Sequence, residues 1–588
     1  MPEMKGGEII AEHLVRERVP YVFGLCGHGI LGFLDALYDR QDRIRTVGVH
    51  HESLAGFMAD AYYRVTHQPV ATFTSCGPGS ANLPVAAASA LMDSSAFLAV
   101  TGNVPTSQWN RGPFQESGRH FQGDFVNAMR PYVKRSFQPT RADMLPLALR
   151  QAFGLLRGGR PGPVHIDVPL NVFVETADWD LAAEESSSPP RPAGPAGAPE
   201  AIRAAMALLA SARRPVIVAG HGVELAEAEP ELVALAEELQ IPVATSPLGK
   251  GVIDMRHHLS LGTTGRNGTY MANAATRNAD VLLAVGTRFD DRATSAWIPG
   301  YTYSIPPTRL IHVDIDASEL GRNYRPEVPI LGDARTVLQQ LREAASPVFD
   351  RPEWLERIGS WRERWEDALA PQRASDAVPI HPERVVTELR RALPEDGIVV
   401  ADVGVHHNWL VSDFCAQKHR SVLQSWGFAA MGFGVAGALG AKLGAPQRPV
   451  VTVCGDGGFL MFPSAVATAV EYRIPVVWLV WNNLGYVSIL DQQLGYFGAG
   501  RELVTSFRDG GGRLFSPDYA AMARAMGAEG RTVERPTDLA EQLDWAIHAE
   551  RPVVLDVRVD RDAKPLAAGT WELPPLPHPQ PTFGWQED

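Results

Sequence analysis

The sequence has few cysteines and no long apolar run. Its only cysteines are Cys26, Cys76, Cys415 and Cys454, and their wide spacing excludes a zinc-binding cluster and a disulfide framework. They predict reduced thiols in a cytoplasmic protein. No stretch approaches the roughly 18 apolar residues that a membrane span requires, and the first residues lack the apolar core of a secretion signal.

Positively charged residues are also fewer than negatively charged ones. The chain has 54 Lys and Arg against 67 Asp and Glu, a formal net charge of −13. This balance disfavours non-specific binding to nucleic acids or acidic membranes. Hydrophobic residues make up 45% of the 588 residues, which is typical of a globular protein with large cores. We therefore expect small-molecule partners.

Two segments divide the chain. The stretch AAEESSSPPRPAGPAGAPE cannot form a helix or a central strand and predicts a linker. A second, weaker break contains one Trp-rich helical stretch between Pro-containing segments. The predicted divisions are a domain at 1–181, a linker at 182–199, a domain at 200–345, a linker helix at 346–377, a domain at 378–563 and a C-terminal tail at 564–588.

Each of the three domains alternates short apolar runs with helical patterns. Runs such as PVVTVC and IPVVWLVW are continuously apolar rather than alternating, which indicates parallel strands covered on both faces. The sequence therefore predicts an α/β protein with three doubly wound parallel sheets. Ligands of such sheets bind at the carboxyl ends of strands, so chemically active residues are expected just after these runs.

The segment GHGILG carries a G-x-G-x-x-G pattern at Gly27, Gly29 and Gly32. It follows an apolar strand-like run, and Glu52 stands about where a ribose-binding acid is expected in a dinucleotide site. Taken alone, the pattern predicts an NAD-dependent dehydrogenase. A glycine turn followed by an acidic residue also suits other cofactors, so the spacing does not decide between them.

A second pair of motifs lies in the third domain. GDG follows the strand-like VVTVC, and NN ends the strand-like IPVVWLVW. One strand-helix-strand crossover would bring Asp456 and Asn483 to the same sheet edge. A carboxylate, an amide oxygen and a backbone carbonyl are hard ligands that suit Mg²⁺ or Ca²⁺ holding a diphosphate. Gly455 and Gly457 would let the backbone approach the anion closely.

This pair of motifs resembles the diphosphate-binding motif of thiamine diphosphate enzymes. From about residue 5 to residue 560 the chain is similar to the acetolactate synthase branch of that superfamily. The similar stretches are HESLAGFMADAYYRVT, TSCGPGSAN, TGNVPTS, PFQE, GRPGPVHIDVP, GTRFDDR and GDG with NN. The resemblance implies a pyrimidine-binding, a central and a diphosphate-binding domain, with the cofactor between subunits of a homodimer or homotetramer.

The resemblance also implies roles in binding thiamine diphosphate and Mg²⁺. Glu52 would hydrogen-bond N1′ of the aminopyrimidine and so promote removal of the C2 proton. Asp456, Asn483 and the carbonyl of Gly485 would be the metal ligands. The other expected cofactor contacts are Met431 as the residue that bends the cofactor, Ala429 through its carbonyl, and His406, Gly455, Gly457 and Tyr486 beside the diphosphate.

Substrate contacts are expected where the chain departs from its family as well as where it agrees. Phe114 and Gln115 match residues that face the reacting carbon, and Arg292 matches the arginine that binds the acceptor carboxylate. His28 stands in a glycine turn where small residues are usual, and a histidine there would hold or deliver a proton. Leu490 stands near the position of a tryptophan that selects the larger acceptor.

Segments of the central domain resemble the flavin-binding region of acetolactate synthases. The expected FAD contacts are Gly262, Arg288, Asp290 and Asp314. The alternative interpretation of GTRFDDR is an internal ion pair of Asp290 or Asp291 with Arg288 or Arg292.

The predicted function is a thiamine diphosphate-dependent carboligase. It would decarboxylate a 2-oxo acid such as pyruvate and transfer the acyl carbanion to a second carbonyl compound. The alternatives are a 2-oxo acid decarboxylase, a diketone lyase, a non-catalytic homologue, and the dehydrogenase suggested by GHGILG. The changes at His28 and Leu490 put acetolactate synthesis itself in question, whereas Glu52, Asp456 and Asn483 argue for catalysis.

Overall fold

The structure is a computed structural model that describes residues 3–116, 124–179, 194–345 and 351–569. Most of the predicted linker at 182–199 and most of the tail at 564–588 lie outside these residues. No helix in the described ranges is both long and apolar enough to cross a membrane.

The first domain contains eight strands and eight α-helices, numbered in chain order. They are β1 (Glu3–Lys5), α1 (Gly6–Arg16), β2 (Tyr21–Gly24), α2 (Leu31–Tyr38), β3 (Arg45–Gly48), α3 (Glu52–Thr66), β4 (Ala71–Thr74), α4 (Pro78–Ala81), α5 (Pro84–Met92), β5 (Leu98–Asn103), α6 (Phe125–Met129), β6 (Arg135–Phe137), α7 (Leu145–Arg157), β7 (Val164–Pro169), α8 (Leu170–Val174) and β8 (Thr176–Asp178).

The central domain follows the first linker and ends before a long helix. Its elements are α9 (Pro199–Ser211), β9 (Pro215–Ala219), α10 (His221–Leu225), α11 (Glu229–Leu239), β10 (Val243–Thr245), β11 (Ser260–Thr263), α12 (Tyr270–Asn278), β12 (Val281–Val285), β13 (Arg309–Asp314), β14 (Val328–Leu331) and α13 (Ala334–Glu343).

The long helix α14 (Pro352–Arg373) falls within the predicted Trp-rich segment. It buries Trp354, Trp361 and Trp365 against the central domain. Helix α14 is therefore part of the central domain's packing rather than a free connection.

The third domain completes the described chain. Its elements are α15 (Pro382–Ala392), β15 (Ile398–Ala401), α16 (Val405–Ser412), β16 (Val422–Gln424), α17 (Phe433–Gly444), β17 (Val450–Gly455), α18 (Asp456–Phe459), α19 (Ser464–Tyr472), β18 (Val477–Asn482), α20 (Val487–Phe497), α21 (Tyr519–Ala525), β19 (Glu529–Val533), α22 (Leu539–Ile547) and β20 (Val553–Arg558).

Each domain is built on one six-stranded parallel sheet, which confirms the predicted fold class. The strand orders are β3-β2-β4-β5-β7-β6, β11-β10-β9-β12-β13-β14 and β16-β15-β17-β18-β20-β19. In each sheet the chain begins at an inner strand, extends to one side and then crosses to the other. The three switch points lie between β2 and β4, β9 and β12, and β15 and β17, where ligand sites of open α/β sheets form.

Helices α3 and α17 join the first and third domains. Their side chains share one hydrophobic core, in which the rings of Phe57 and Phe433 lie edge to face with centroids 6.0 Å apart. A Cβ atom added at Gly440 would overlap the carbonyl oxygen of Met58. The small residues of α17 therefore let the two helix backbones approach each other closely.

The start of α17 is held by the carboxylate of Asp402, which follows β15. Asp402 Oδ1 accepts hydrogen bonds from the backbone N–H groups of Gly432 (2.8 Å) and Gly434 (3.1 Å). Oδ2 is buried and has no hydrogen-bond partner in the described structure. Burial raises the pKa of Asp402 from 3.8 to about 7, because the charged form loses its hydration. A proton on Oδ2 fits this environment.

Replacing Gly440 with Ala should destabilise the protein. The added methyl group meets the backbone of α3, and overpacking of this kind typically costs about 1–3 kcal/mol. Thermal unfolding of Gly440→Ala should therefore begin at a lower temperature than that of the wild type. Gly359→Ala is the control, because a Cβ added at Gly359 in helix α14 meets no atom within 4 Å. An unchanged unfolding temperature for Gly440→Ala would contradict the close helix contact.

Asp402→Asn should gain stability relative to the wild type as the pH rises. The pKa of Asp402 is higher in the folded than in the unfolded chain, so its contribution is complete below pH 3.8 and is lost through about pH 7. Asn does not titrate, so the difference in unfolding free energy should move by about 1–3 kcal/mol in favour of the variant. Denaturant unfolding at pH 5 and pH 8 measures this, with exposed Asp396→Asn as control. A pH-independent difference would argue against the raised pKa.

Candidate active site

Glu52 is the first residue of α3 and lies at the switch point of the first sheet. The helix begins there because the His51 side chain accepts a hydrogen bond from the backbone N–H of Ser53 (3.2 Å). The Glu52 side chain is buried, and Oε2 accepts a hydrogen bond from Asn82 Nδ2 (2.9 Å). A Cβ atom added at Gly79 would lie 3.1 Å from Glu52 Oε1. A buried carboxylate with a single side-chain donor can accept a further proton or hydrogen bond from a ligand.

Two of the predicted substrate residues share a pocket with Glu52. The pocket has a volume of about 490 Å³, and His28, Cys76 and Gln115 line it together with Glu52. His28 Nε2 lies 3.6 Å from Cys76 Sγ. Phe114 lies at the edge, with its ring centroid 5.6 Å from that of His28 and 77% of its surface exposed. The structure thus brings together Glu52, His28, Phe114 and Gln115.

The predicted metal ligands lie together at the switch point of the third sheet. Asp456 is buried, and its carboxylate accepts hydrogen bonds from the backbone N–H groups of Gly457 (2.8 Å) and Gly485 (3.0 Å). Asn483 is also buried. Burial raises the pKa of Asp456 to about 6, and a bound divalent cation would favour its charged form. This donor set fits Mg²⁺ that also takes diphosphate oxygens.

Glycines allow close packing around Asp456. Gly485 has φ +146°, a conformation that disfavours residues with a Cβ atom. A Cβ atom added at Gly457 would overlap the ring of Tyr486, so the Tyr486 ring packs directly against this turn. Among the described residues, no group of three or more His, Cys, Asp or Glu side chains is placed to hold a metal ion. A cation here would therefore depend on the diphosphate for its remaining ligands.

His406 lies beside this turn as a neutral side chain. Its Nε2 atom pairs with the Asp402 carbonyl oxygen (2.9 Å), and a Cβ atom added at Gly455 would lie 3.5 Å from its Nδ1 atom. Burial lowers the pKa of His406 to about 3. Because Nε2–H of the neutral ring donates to the Asp402 carbonyl oxygen, only Nδ1 remains, and it can accept a hydrogen bond but cannot donate one.

Ala429 and Met431 lie in the loop between β16 and α17. Ala429 adopts φ +53° and Gly432 φ +88°, which turns the chain sharply before the helix. Met431 is half-buried. The loop thus presents its backbone and the Met431 side chain at the edge of the third domain.

Among the described residues, the Glu52 pocket and the Asp456 turn share no lining residue. The described residues that line the Glu52 pocket belong to the first domain, whereas the Asp456 group belongs to the third. The two halves are complementary in chemistry, since one offers a proton acceptor and the other offers ligands for a cation and an anion.

The switch point of the central sheet opens into a cleft. It is lined by Arg288 and Asp314 from the central domain and by Arg160 from the first domain. Burial raises the pKa of Asp314 to about 6. Arginines suit the phosphates of a dinucleotide, and a carboxylate suits its hydroxyl groups. Arg288 and Asp314 therefore fit the predicted FAD contacts.

The other two predicted FAD residues do not line this cleft. Gly262 lies at the end of β11, where an added Cβ atom would meet Thr269. Asp290 Oδ1 accepts hydrogen bonds from Trp426 Nε1 (2.9 Å) and from the backbone N–H of Ala293 (3.0 Å). Both residues therefore have packing or hydrogen-bonding roles in this structure.

Arg292 and Leu490 lie apart from the Glu52 pocket. The guanidinium carbon of Arg292 is 5.6 Å from the ring centroid of Trp426, which places Arg292 beside the loop that carries Ala429 and Met431. Leu490 is 7% exposed on α20, and its backbone N–H donates to the Tyr486 carbonyl oxygen (3.0 Å).

Sequence analysis missed three residues with clear roles in this arrangement. Cys76 touches His28, Arg160 brings the first domain to the central cleft, and Trp426 links all three domains. Cys76 and Arg160 stand in the similar stretches TSCGPGSAN and GRPGPVHIDVP, which was a usable signal. For Trp426 the only local signal is its place just before the predicted cofactor loop.

Comparisons with known proteins agree with this architecture. Family profiles match residues 4–122 as the N-terminal thiamine pyrophosphate-binding domain, 202–341 as the central domain, and 402–557 as the C-terminal thiamine pyrophosphate-binding domain of thiamine pyrophosphate enzymes. Each profile overlaps one of the three parallel sheets, although the first ends before β6 and β7 and the third begins after β15.

Relatives that match nearly the whole chain are named acetolactate synthase large subunits. The chain is 36% identical over 571 residues to a probable acetolactate synthase large subunit of Methanocaldococcus jannaschii, covering 95% of this chain and 92% of the relative. It is 33% identical over 574 residues to the acetolactate synthase isozyme 3 large subunit of Escherichia coli, covering 95% and 96%. The three profiles together match most of the chain, so this chain belongs to the thiamine pyrophosphate enzyme family.

Proposed function

We propose that the protein is a carboligase that removes CO₂ from a 2-oxo acid such as pyruvate and joins the remaining acyl unit to a second 2-oxo acid. The observation that carries this proposal is the pair of half-sites at the switch points of the first and third sheets. One presents Glu52, and the other presents Asp456 with Asn483. The similarity to acetolactate synthases over nearly the whole chain supports the reaction class.

Thiamine diphosphate, when bound, supplies the electron sink that accepts the electron pair left by the departing CO₂. The buried carboxylate of Glu52 would share a proton with the aminopyrimidine N1′ atom, and the 2.9 Å hydrogen bond from Asn82 would orient it. Asp456, Asn483 and the carbonyl of Gly485 would hold Mg²⁺, and neutral His406 would lie near the diphosphate.

Two side chains are suited to the acceptor. Arg292 would bind its carboxylate, since a guanidinium group pairs with carboxylates in a bidentate geometry. His28 faces the Glu52 pocket and would hold or deliver a proton at the acceptor oxygen. The closeness of His28 to Glu52 also favours a second candidate function, a decarboxylase or diketone lyase, in which that proton ends the reaction without an acceptor.

We also propose that two copies of the chain form each active site, in a dimer or tetramer. The half-site of Glu52 and that of Asp456 lie in different domains and share no lining residue within one chain. Apolar side chains stand exposed at their edges, including Phe114 (77%), Phe428 (43%) and Met461 (47%). Exposed apolar side chains beside an incomplete site fit burial by a partner subunit.

The central cleft is proposed to hold FAD. Its two arginines fit the diphosphate of a dinucleotide, and Asp314 at the end of β13 fits a ribose or an adenine amino group. No catalytic step depends on this site, because its lining residues contribute nothing to the Glu52 pocket.

Purified protein with thiamine diphosphate, Mg²⁺ and pyruvate should release CO₂ and form acetolactate. Glu52→Gln and Asp456→Asn should each abolish both products, because each removes one half of every site. After subunit exchange, an equal mixture of the two variants should recover about a quarter of wild-type activity, since half of the dimers would contain one intact site out of two. Exposed Glu353→Gln is the control.

The mixture and the product analysis together separate the alternatives. No recovery in the mixture, with both single variants inactive, would contradict a site shared between subunits. CO₂ release with acetaldehyde but no acetolactate would favour the decarboxylase. An absence of CO₂ would overturn pyruvate as donor.

The purified protein should carry flavin, visible in its absorption spectrum. Asp314→Ala should retain less flavin, because it removes the carboxylate at the end of β13, while CO₂ release should be affected little. Exposed Glu343→Ala on α13 is the comparison, since Glu343 does not line the cleft. A colourless wild-type protein that gains no flavin on incubation with FAD would contradict this assignment.

A further inference from the structure

Trp426 is in contact with all three domains. It lies in the loop between β16 and α17 and is 5% exposed. Its backbone N–H donates to Asp93 Oδ2 of the first domain (2.8 Å), and its indole Nε1–H donates to Asp290 Oδ1 of the central domain (2.9 Å). Both ends of the residue are therefore fixed by carboxylates.

The indole ring is also held from the side. The rings of His407 and Trp426 meet edge to face with centroids 5.4 Å apart, and the His407 imidazole is in turn bonded to Gln424. A ring constrained by Asp290 at its nitrogen and by His407 at its face has little rotational freedom. It provides a fixed surface for any neighbour.

That neighbour is Arg292. Its guanidinium carbon lies 5.6 Å from the Trp426 ring centroid, within the range of a cation–π contact, which strengthens when the pair is shielded from water. Arginine has a long flexible side chain and loses substantial rotamer freedom when it is ordered. The rigid indole therefore orders the guanidinium group before any substrate arrives.

The same loop continues to Ala429 and Met431, the proposed cofactor contacts. Trp426 thus links the position of Arg292 to the position of the cofactor, because only a few residues separate Trp426 from Ala429 and Met431. A carboxylate-bearing acceptor must meet both at once, so the distance between them decides which acceptor fits.

We infer that Trp426 is a positioning residue that holds Arg292 in place and so selects an acceptor carrying a carboxylate. This inference rests on the proposed function, in which Arg292 binds the acceptor. Release of CO₂ from the donor needs no acceptor, so it should depend little on Trp426. Transfer to a second 2-oxo acid should depend on it strongly.

The test compares product ratios in the holoenzyme with thiamine diphosphate, Mg²⁺ and pyruvate. Trp426→Leu should keep CO₂ release within about threefold of the wild type but lower the ratio of acetolactate to acetaldehyde about tenfold, as expected for loss of a shielded cation–π contact. Trp426→Phe keeps an aromatic face and loses the N–H to Asp290, so its ratio should lie between the two.

Trp545→Phe is the matched control, because Arg531 lies over the Trp545 ring on a distant helix of the same domain. It should leave the product ratio unchanged. The shift in unfolding temperature caused by thiamine diphosphate and Mg²⁺ shows that each variant is folded and binds the cofactor. If Trp426→Leu no longer shows that shift, the product ratio of Trp426→Phe is compared with that of the wild type instead.

A second readout does not require turnover. The emission of Trp426, taken as the difference between wild type and Trp426→Phe, should change when Arg292 is replaced with Gln, and that change should be absent in the Trp426→Phe background. No change in emission would overturn the contact between the two side chains.

The outcomes distinguish this inference from the proposed function. Acetolactate formation by the wild type, with an unchanged product ratio in Trp426→Leu, would overturn the inference alone. No CO₂ release from pyruvate by the wild type would overturn the proposed function and, with it, acceptor selection by Trp426.

Discussion

The carboxylate of Asp93 is the point at which the three domains meet. It is fully buried and accepts hydrogen bonds from the backbone N–H groups of Trp426 and Gly427 and from Arg64 Nη2 (3.2 Å). Arg288 of the central domain lies 3.7 Å away. A buried charge is costly unless it is paired and hydrogen-bonded, so this carboxylate requires all of these partners at once. The position of the cofactor loop is thereby tied to both neighbouring domains.

A second constraint acts on each domain separately. All three sheets reverse their winding at an inner strand, and the parted loops leave a crevice at that edge. The first crevice holds Glu52, the third holds Asp456, and the central one holds Asp314. Three similar sheets thus offer three different environments, because the residues after each strand differ in charge and size. The chemistry depends on loops, whereas the sheets only set where the loops lie.

This division explains what could be predicted from the sequence. The GDG and NN motifs predicted two strand ends that lie close together, because each motif follows a strand and strand ends at a switch point are neighbours by topology. The ligand roles of Asp456 and Asn483 stay predictions. GHGILG was ambiguous because a glycine turn before an acidic residue serves more than one cofactor. Arg160 and Trp426 escaped prediction because each has partners in another domain, which the local sequence does not reveal: Arg160 bonds Glu319, and Trp426 bonds Asp93 and Asp290. The place of Asp290 beside a flavin stays a prediction, and in this structure its carboxylate accepts a hydrogen bond from Trp426.

The glycine contact between α3 and α17 has a consequence for how such a protein can diverge. Because Gly440 lies against the backbone of Met58, that position tolerates no larger residue without moving two domains, and with them Glu52 at the start of α3 and Asp456 after β17. The loops around the crevices are free of this restriction. A lineage can change what it accepts as substrate by altering a few loop side chains, while its scaffold stays nearly fixed over long evolutionary times.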